Sequence, residues 1–185
     1  MEPMKGVGFM KHLRLAAFVL ALPLLSLGHA AAQTAGPSAL PSAAELKLAI
    51  SGDVPTPVTL NAADLAAMPR VSAEITEQDG AKTTYEGVAL QEILKKAGVA
   101  FGRQMRGKAL AGYVLAEASD GYAVAFSLGE LDPGLGGEKI IVADKRDGKP
   151  LFEYQGPARL VIPADKEGAR SVRMLQKLEV VALRK

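Results

Sequence analysis

The chain has 185 residues, no cysteine, no tryptophan and two histidines, with 22 Lys/Arg against 20 Asp/Glu. Without cysteine there are no disulfides, thiol nucleophiles or thiolate metal sites, so a metal held by side chains alone would need oxygen ligands. Both histidines, His12 and His29, fall in the first 32 residues, so a chain trimmed there has no imidazole for acid–base work.

Residues 1–32 read as a secretory signal. Lys5, Lys11 and Arg14 form a positive start, LRLAAFVLALPLLSL is the apolar stretch, and Ala30, Ala31 and Ala32 allow cleavage before Gln33. The stretch is short for a membrane-crossing helix and is broken by Pro23; an uncleaved anchor is the alternative. Export predicts a periplasmic or secreted protein with no membrane attachment after cleavage. Cleavage removes three basic residues and Glu2, which leaves equal numbers of each sign and zero net charge. A neutral exported domain is a poor nucleic-acid ligand. Residues 33–44, rich in Ala, Ser and Pro, predict a flexible linker, and residues 45–185 one domain.

In ELKLAISG, Leu46, Leu48 and Ile50 alternate with Lys47, Ala49 and Ser51, which predicts a half-buried strand. A second short strand is expected over 56–60. Asn61 then caps a short helix that carries Asp64 near its positive end and stops at Pro69. VSAEIT alternates again, Asp79-Gly80 turns the chain, and KTTY resumes extended structure. VALQEILKKAGV predicts a helix with an apolar stripe of Val88, Leu90, Ile93, Leu94 and Ala97, ended by Gly98. A hairpin turning at Asp120-Gly121 follows, and then a short helical turn, SLGEL, with capping spacing between Ser127 and Glu130. KIIVAD, ARLVIP and KLEVVAL are the remaining strands. The pattern is α+β, with a mixed or mostly antiparallel sheet.

Most polar residues have an ordinary place in this pattern. Asp79, Asp120 and Asp147 precede turn glycines. Glu45, Glu92, Glu138 and Glu153 read as solvated charge. No carboxylate pair spaced for hydrolysis is visible. Ser119, Ser127 and Ser171 have no histidine to activate them. GLGG, residues 134–137, neither follows a strand nor opens a helix, so it reads as a connector rather than a phosphate loop.

The C-terminal charge is different. From Arg159 onward seven Lys/Arg stand against three Asp/Glu, and the excess gathers around GARSVRML, residues 168–175. Arginine forks suit phosphate, Gly168 lets backbone N–H groups approach an anion, and Ser171 adds a hydroxyl. Lys166, Arg170 and Arg173, with Arg159 further off, are the candidate anion contacts. A solvated basic loop is the competing reading.

GARSVRML also resembles the G-x-K-S-I-K-W-I segment of the sulfite oxidase-type molybdopterin-dependent oxidoreductases, with Met174 in place of the tryptophan. YEGVALQEILKKAGV resembles the W-x-G-V-P-L-x-x-L-L-x-x-A-G-V helix of that family. ASDGYAVAFSLGEL resembles its DGY hairpin, and GPARLVIPAD the strand before the basic segment. The resemblance covers roughly residues 45–183. It implies a sulfite-oxidase-type molybdopterin-binding fold, α+β, with mixed β-sheets and a few short helices. It also implies a molybdopterin or related anionic ligand held by Arg170, Ser171, Arg173, Lys166 and Gly168. In the family a cysteine thiolate ligates molybdenum on the strand before the W-x-G-V segment; here that position falls near Thr76, and no cysteine exists to fill it. A hydroxyl is not an equivalent ligand. If catalytic, the chain is a molybdopterin-dependent oxidoreductase without cysteine-ligated molybdenum. The alternative is a non-catalytic binding module that uses the same cleft for a small anion, a pterin, or a redox or other periplasmic protein partner.

Overall fold

The structure is a computed structural model in which residues 45–183, apart from Gln78, are described. The signal and linker assigned to residues 1–44 lie outside them. No helix among the described residues is long and apolar enough to cross a membrane.

Two sheets make the fold. The first contains β1 (Leu48–Gly52), β2 (Val58–Leu60), β5 (Gly112–Ala118), β6 (Ala123–Ser127) and β10 (Leu175–Ala182), in the order β2-β1-β10-β5-β6. The second contains β3 (Arg70–Thr76), β4 (Lys82–Ala89), β7 (Ile141–Arg146) and β8 (Lys149–Pro150) in that order, with β9 (Arg159–Val161) also on β7. Among the described residues only β1 and β10 pair in parallel, and the other pairings are antiparallel. The mixed-sheet α+β expectation therefore holds.

The alternation in ELKLAISG places Leu46, Leu48 and Ile50 in the main core. That core also takes Leu65 from α1 (Ala62–Ala66), Leu90, Ile93 and Leu94 from α2 (Leu90–Lys96), and Leu128 and Leu131 from α3 (Leu128–Leu131). Asn61 and Asp64 form a reciprocal capping box at α1. Ser127 accepts from the Glu130 amide at α3. A smaller core of Tyr85, Ile141, Ala143, Leu151 and Val161, with Ala73 and Ile75 against it, covers the other face of the second sheet.

Two details differ from expectation. The helix expected from Val88 begins at Leu90, because β4 continues its ladder to Ala89, opposite Ile141 on β7. Val88 points into the core from the strand, so the apolar stripe is real but is shared by two elements. GLGG is not a loose connector: a Cβ on Gly136 would stand 2.7 Å from Glu130 backbone, and Gly137 donates to the Asp132 carbonyl.

Gly87 is required by packing. It lies at the register shift of β4 on β7, where a Cβ would sit 2.0 Å from the Val142 carbonyl oxygen. Relief would need the two strands to separate. Gly87→Ala is expected to lower unfolding free energy by about 3 kcal/mol, read from a chemical denaturation midpoint; an unchanged midpoint would contradict the close approach.

Candidate functional site

On the small-core face of the second sheet lies a cavity of about 520 Å³. Its walls come from distant segments: the end of β3 with Thr76, Tyr85 on β4, Arg146 on β7, Arg159 on β9, and the loop carrying Lys166, Gly168, Ser171 and Arg173. The volume is that of a small-molecule site.

Arg159 is the unusual group. It stands opposite Ala143 in a strand whose three residues are all buried, and it is itself 9 % exposed. Its Nη1 donates to Tyr85 Oη at 2.9 Å and to Gln155 Oε1 at 3.3 Å, and its guanidinium lies 4.7 Å from the Tyr85 ring centre. Its Nε is buried and has no hydrogen-bond partner. Among the described residues no carboxylate forms an ion pair with it. Burial pulls its pKa down; the Tyr85 oxygen opposes that, Arg173 adds to it, and Glu77, beyond ion-pair distance, opposes it further. A buried cation without a counter-anion in contact costs several kcal/mol, and an unmet buried N–H costs about 1–3 kcal/mol more. Arg159 lines the cavity, so an anion there would offset the cost of the buried charge.

Tyr85 joins this cation to the opposite wall. Its hydroxyl accepts from Arg159 and donates to Glu77 Oε1 at 3.3 Å. Burial raises its pKa, so it stays a neutral phenol at ordinary pH; the nearby Arg159 charge works against the rise. Arg146 donates to Thr83 Oγ1 at 3.1 Å and lies 3.7 Å from both Glu77 and Asp147.

The GARSVRML residues divide. Lys166, Gly168, Ser171 and Arg173 line the cavity with Thr76. Arg173 is exposed, with its guanidinium 5.5 Å from the Tyr154 ring centre. A Cβ on Gly168 would meet nothing within 4 Å, so the space beside it is open. Met174, at φ 48°, turns the chain from the cavity rim into β10.

Arg170 faces elsewhere and is not among the lining residues. Its Nε and Nη2 hold Asp165 at 2.9 and 2.6 Å, Nη2 also reaches Glu138 at 2.8 Å, and Nη1 reaches Glu130 at 3.3 Å. It also packs 5.4 Å from the Phe126 ring centre. The Asp165 hydrogen bond, followed by Glu138, drives its pKa well above the ordinary arginine value. With three carboxylates around it, Arg170 anchors the loop. Glu138, expected to be solvated charge, belongs to this cluster.

Sequence reasoning left Tyr85, Arg146, Glu77 and Tyr154 unassigned, since they meet only through the fold. Arg159 did carry a signal: it is a charge inside the otherwise apolar strand ARLVIP.

The sequence matches the oxidoreductase molybdopterin binding domain over residues 35–185. The chain belongs to that family. The sulfane dehydrogenase SoxCD from Paracoccus pantotrophus has a similar fold, with a TM-score of 0.57 and 21% sequence identity. The likeness covers 72% of this chain and 37% of the SoxCD chain, so the present chain spans well under half of that protein. No curated protein matches the sequence.

The molybdopterin cofactor makes two separate demands on this member of the family. Its phosphate needs cationic and hydroxyl donors, and Arg159, Arg173, Lys166 and Ser171, which all line the cavity, fit that need. Its metal would need a thiolate under the family pattern, and the protein has none. Thr76 stands at the cavity instead, and no group of three or more His, Cys, Asp or Glu among the described residues is arranged to hold a metal. The residues suit the organic anion and do not suit cysteine-ligated molybdenum.

Proposed function

We propose that this domain is an exported ligand-binding member of the molybdopterin-binding family. It takes a small phosphate-bearing molecule, a pterin or close relative, in the 520 Å³ cavity and does not use cysteine-ligated molybdenum. The observation that carries this reading is Arg159, a cavity-lining cation that is buried, has an unpartnered Nε and pairs with no carboxylate among the described residues. Arg159 would hold the anion at the cavity floor, with Arg173, Ser171 and Lys166 closing from the loop. Arg170 would act through the loop as a positioning residue, because its donors are directed at Asp165, Glu138 and Glu130. Fold kinship supports the pterin class, and the donor set supports the anion.

Protein purified from its exporting host, then denatured, tests this reading. Near-stoichiometric phosphorus, pterin fluorescence after oxidation and little molybdenum are expected. A protein that releases no phosphorus-bearing ligand and also binds no added phosphorylated pterin would overturn it.

A second reading has one observation in its favour. Tyr122, Phe152 and Tyr154 are each about half exposed beside the cavity, and Phe152 and Tyr154 meet edge to face at 5.7 Å. Exposed aromatics of this kind suit docking of a redox or other periplasmic protein.

A further inference from the structure

The second sheet ends at β3, whose outer edge pairs with no strand among the described residues. The edge is seven residues long and contains neither proline nor glycine. Long open edges are usually blunted by shortening, proline or cover, because their free N–H and C=O groups recruit another strand. Here the side chains alternate strictly. Val71, Ala73 and Ile75 share one face, with Ala73 and Ile75 on the small core, and Arg70, Ser72 and Glu74 share the other, while Thr76 ends the strand at the cavity.

That pattern is self-complementary about Ser72. We propose that β3 pairs antiparallel with β3 of a second copy of this chain, Ser72 opposite Ser72. Arg70 then faces the second copy's Glu74, and Val71 faces its Ala73, each contact occurring twice. Within one chain Arg70 already holds Asp144 with both terminal nitrogens, at 2.8 and 2.5 Å, and Lys82 holds Glu74 at 2.7 Å. Pairing joins these into an alternating row, Asp144, Arg70, Glu74 and Lys82, that runs across the interface in both directions. Glu86, opposite Ser72 on β4, faces the same side and already favours the Arg70 charge.

The register is specific. Centring on Ala73 would set Arg70 against Thr76 and Glu74 against Ser72, leaving both charges unmatched across the interface. The apolar side agrees with closure of the edge. Val71 is 38 % exposed and lines a second cavity of about 390 Å³ with Ala89, Leu90, Leu131, Ile140 and Ile141. A second copy along β3 would cover the Val71 rim of that cavity.

The absence of native cysteine makes the register directly readable. Directly opposed residues in an antiparallel pair have Cα atoms about 4.5–5.5 Å apart, within disulfide range. The full chain is expected to sediment as a dimer. Ser72→Cys should crosslink to completion under mild oxidation, while Ala73→Cys, displaced two residues from its own copy, should not. Glu74→Arg, which sets like charges opposite Arg70 twice, should raise the dimer dissociation constant about tenfold or more, and Glu74→Gln should raise it by less. Circular dichroism confirms that each variant is folded. A monomer at every concentration, crosslinking through Ala73→Cys instead of Ser72→Cys, or a folded Glu74→Arg dimer of undiminished affinity would each overturn the proposal.

Discussion

Arg159→Met is expected to separate stability from ligand binding. It should leave the ligand-free protein at least as stable as the original while weakening a phosphorylated pterin by roughly a hundredfold, the loss of charge-assisted hydrogen bonds worth about 1.5–3 kcal/mol. The unusual half is the stability. Most substitutions at a buried side chain destabilise. Here the removed group is a cation with no paired carboxylate among the described residues and with an unsatisfied Nε. Methionine fills similar space without desolvating a charge, and replacing buried ions by apolar groups is often neutral or stabilising. The change does take donors from Tyr85 and Gln155, which holds the gain down. Chemical denaturation without ligand reads the first half and calorimetric titration the second. A loss of more than about 2 kcal/mol in the ligand-free protein would mark Arg159 as a structural group rather than a reserved anion contact.

Arg170→Ala should do the reverse: lower stability outright and weaken the ligand only through the loop. Removing the guanidinium leaves Asp165, Glu138 and Glu130 facing one another without their shared cation. The Arg170 side chain is 36% exposed, so solvent screening puts the loss at the low end of the range for charged hydrogen bonds, about 2 kcal/mol. Added salt should recover part of it by screening the exposed carboxylates. Arg170→Lys should recover less than half, because an ammonium cannot repeat the two-point grip on Asp165. A melting temperature unchanged by Arg170→Ala would show that the cluster does not hold the loop.

The contrast between these two arginines also marks what could be read from the sequence. Strands were legible wherever one face is buried, as with Leu46, Leu48 and Ile50, because alternation is a local signal. The start of α2 was not, since Val88 satisfies both a helical stripe and a strand face, and its pairing with Val142 on β7 decides between them. GARSVRML was legible as a basic segment, but not the direction of each charge. Arg170 is claimed by Glu130 and Glu138, which lie 40 and 32 residues away. Arg159, outside that segment, has no carboxylate within ion-pair distance among the described residues, because its direct hydrogen-bond partners are Tyr85 and Gln155 and Glu77 acts on it only from further off. Distance in sequence hid both facts, although a charge in an apolar strand was the clue to the second. Thr76 and Arg173, singled out by the resemblance, line one cavity, while Arg170 is held by carboxylates outside its lining.

The most direct measurement of the central claim is calorimetric titration of a phosphorylated pterin into the full-length protein and its Arg159→Met variant at moderate salt. Saturable one-to-one binding in the micromolar range, lost in the variant with no loss of fold, is the predicted result. No binding to the original protein, or equal binding to both, would contradict the assignment of Arg159 and the cavity it serves.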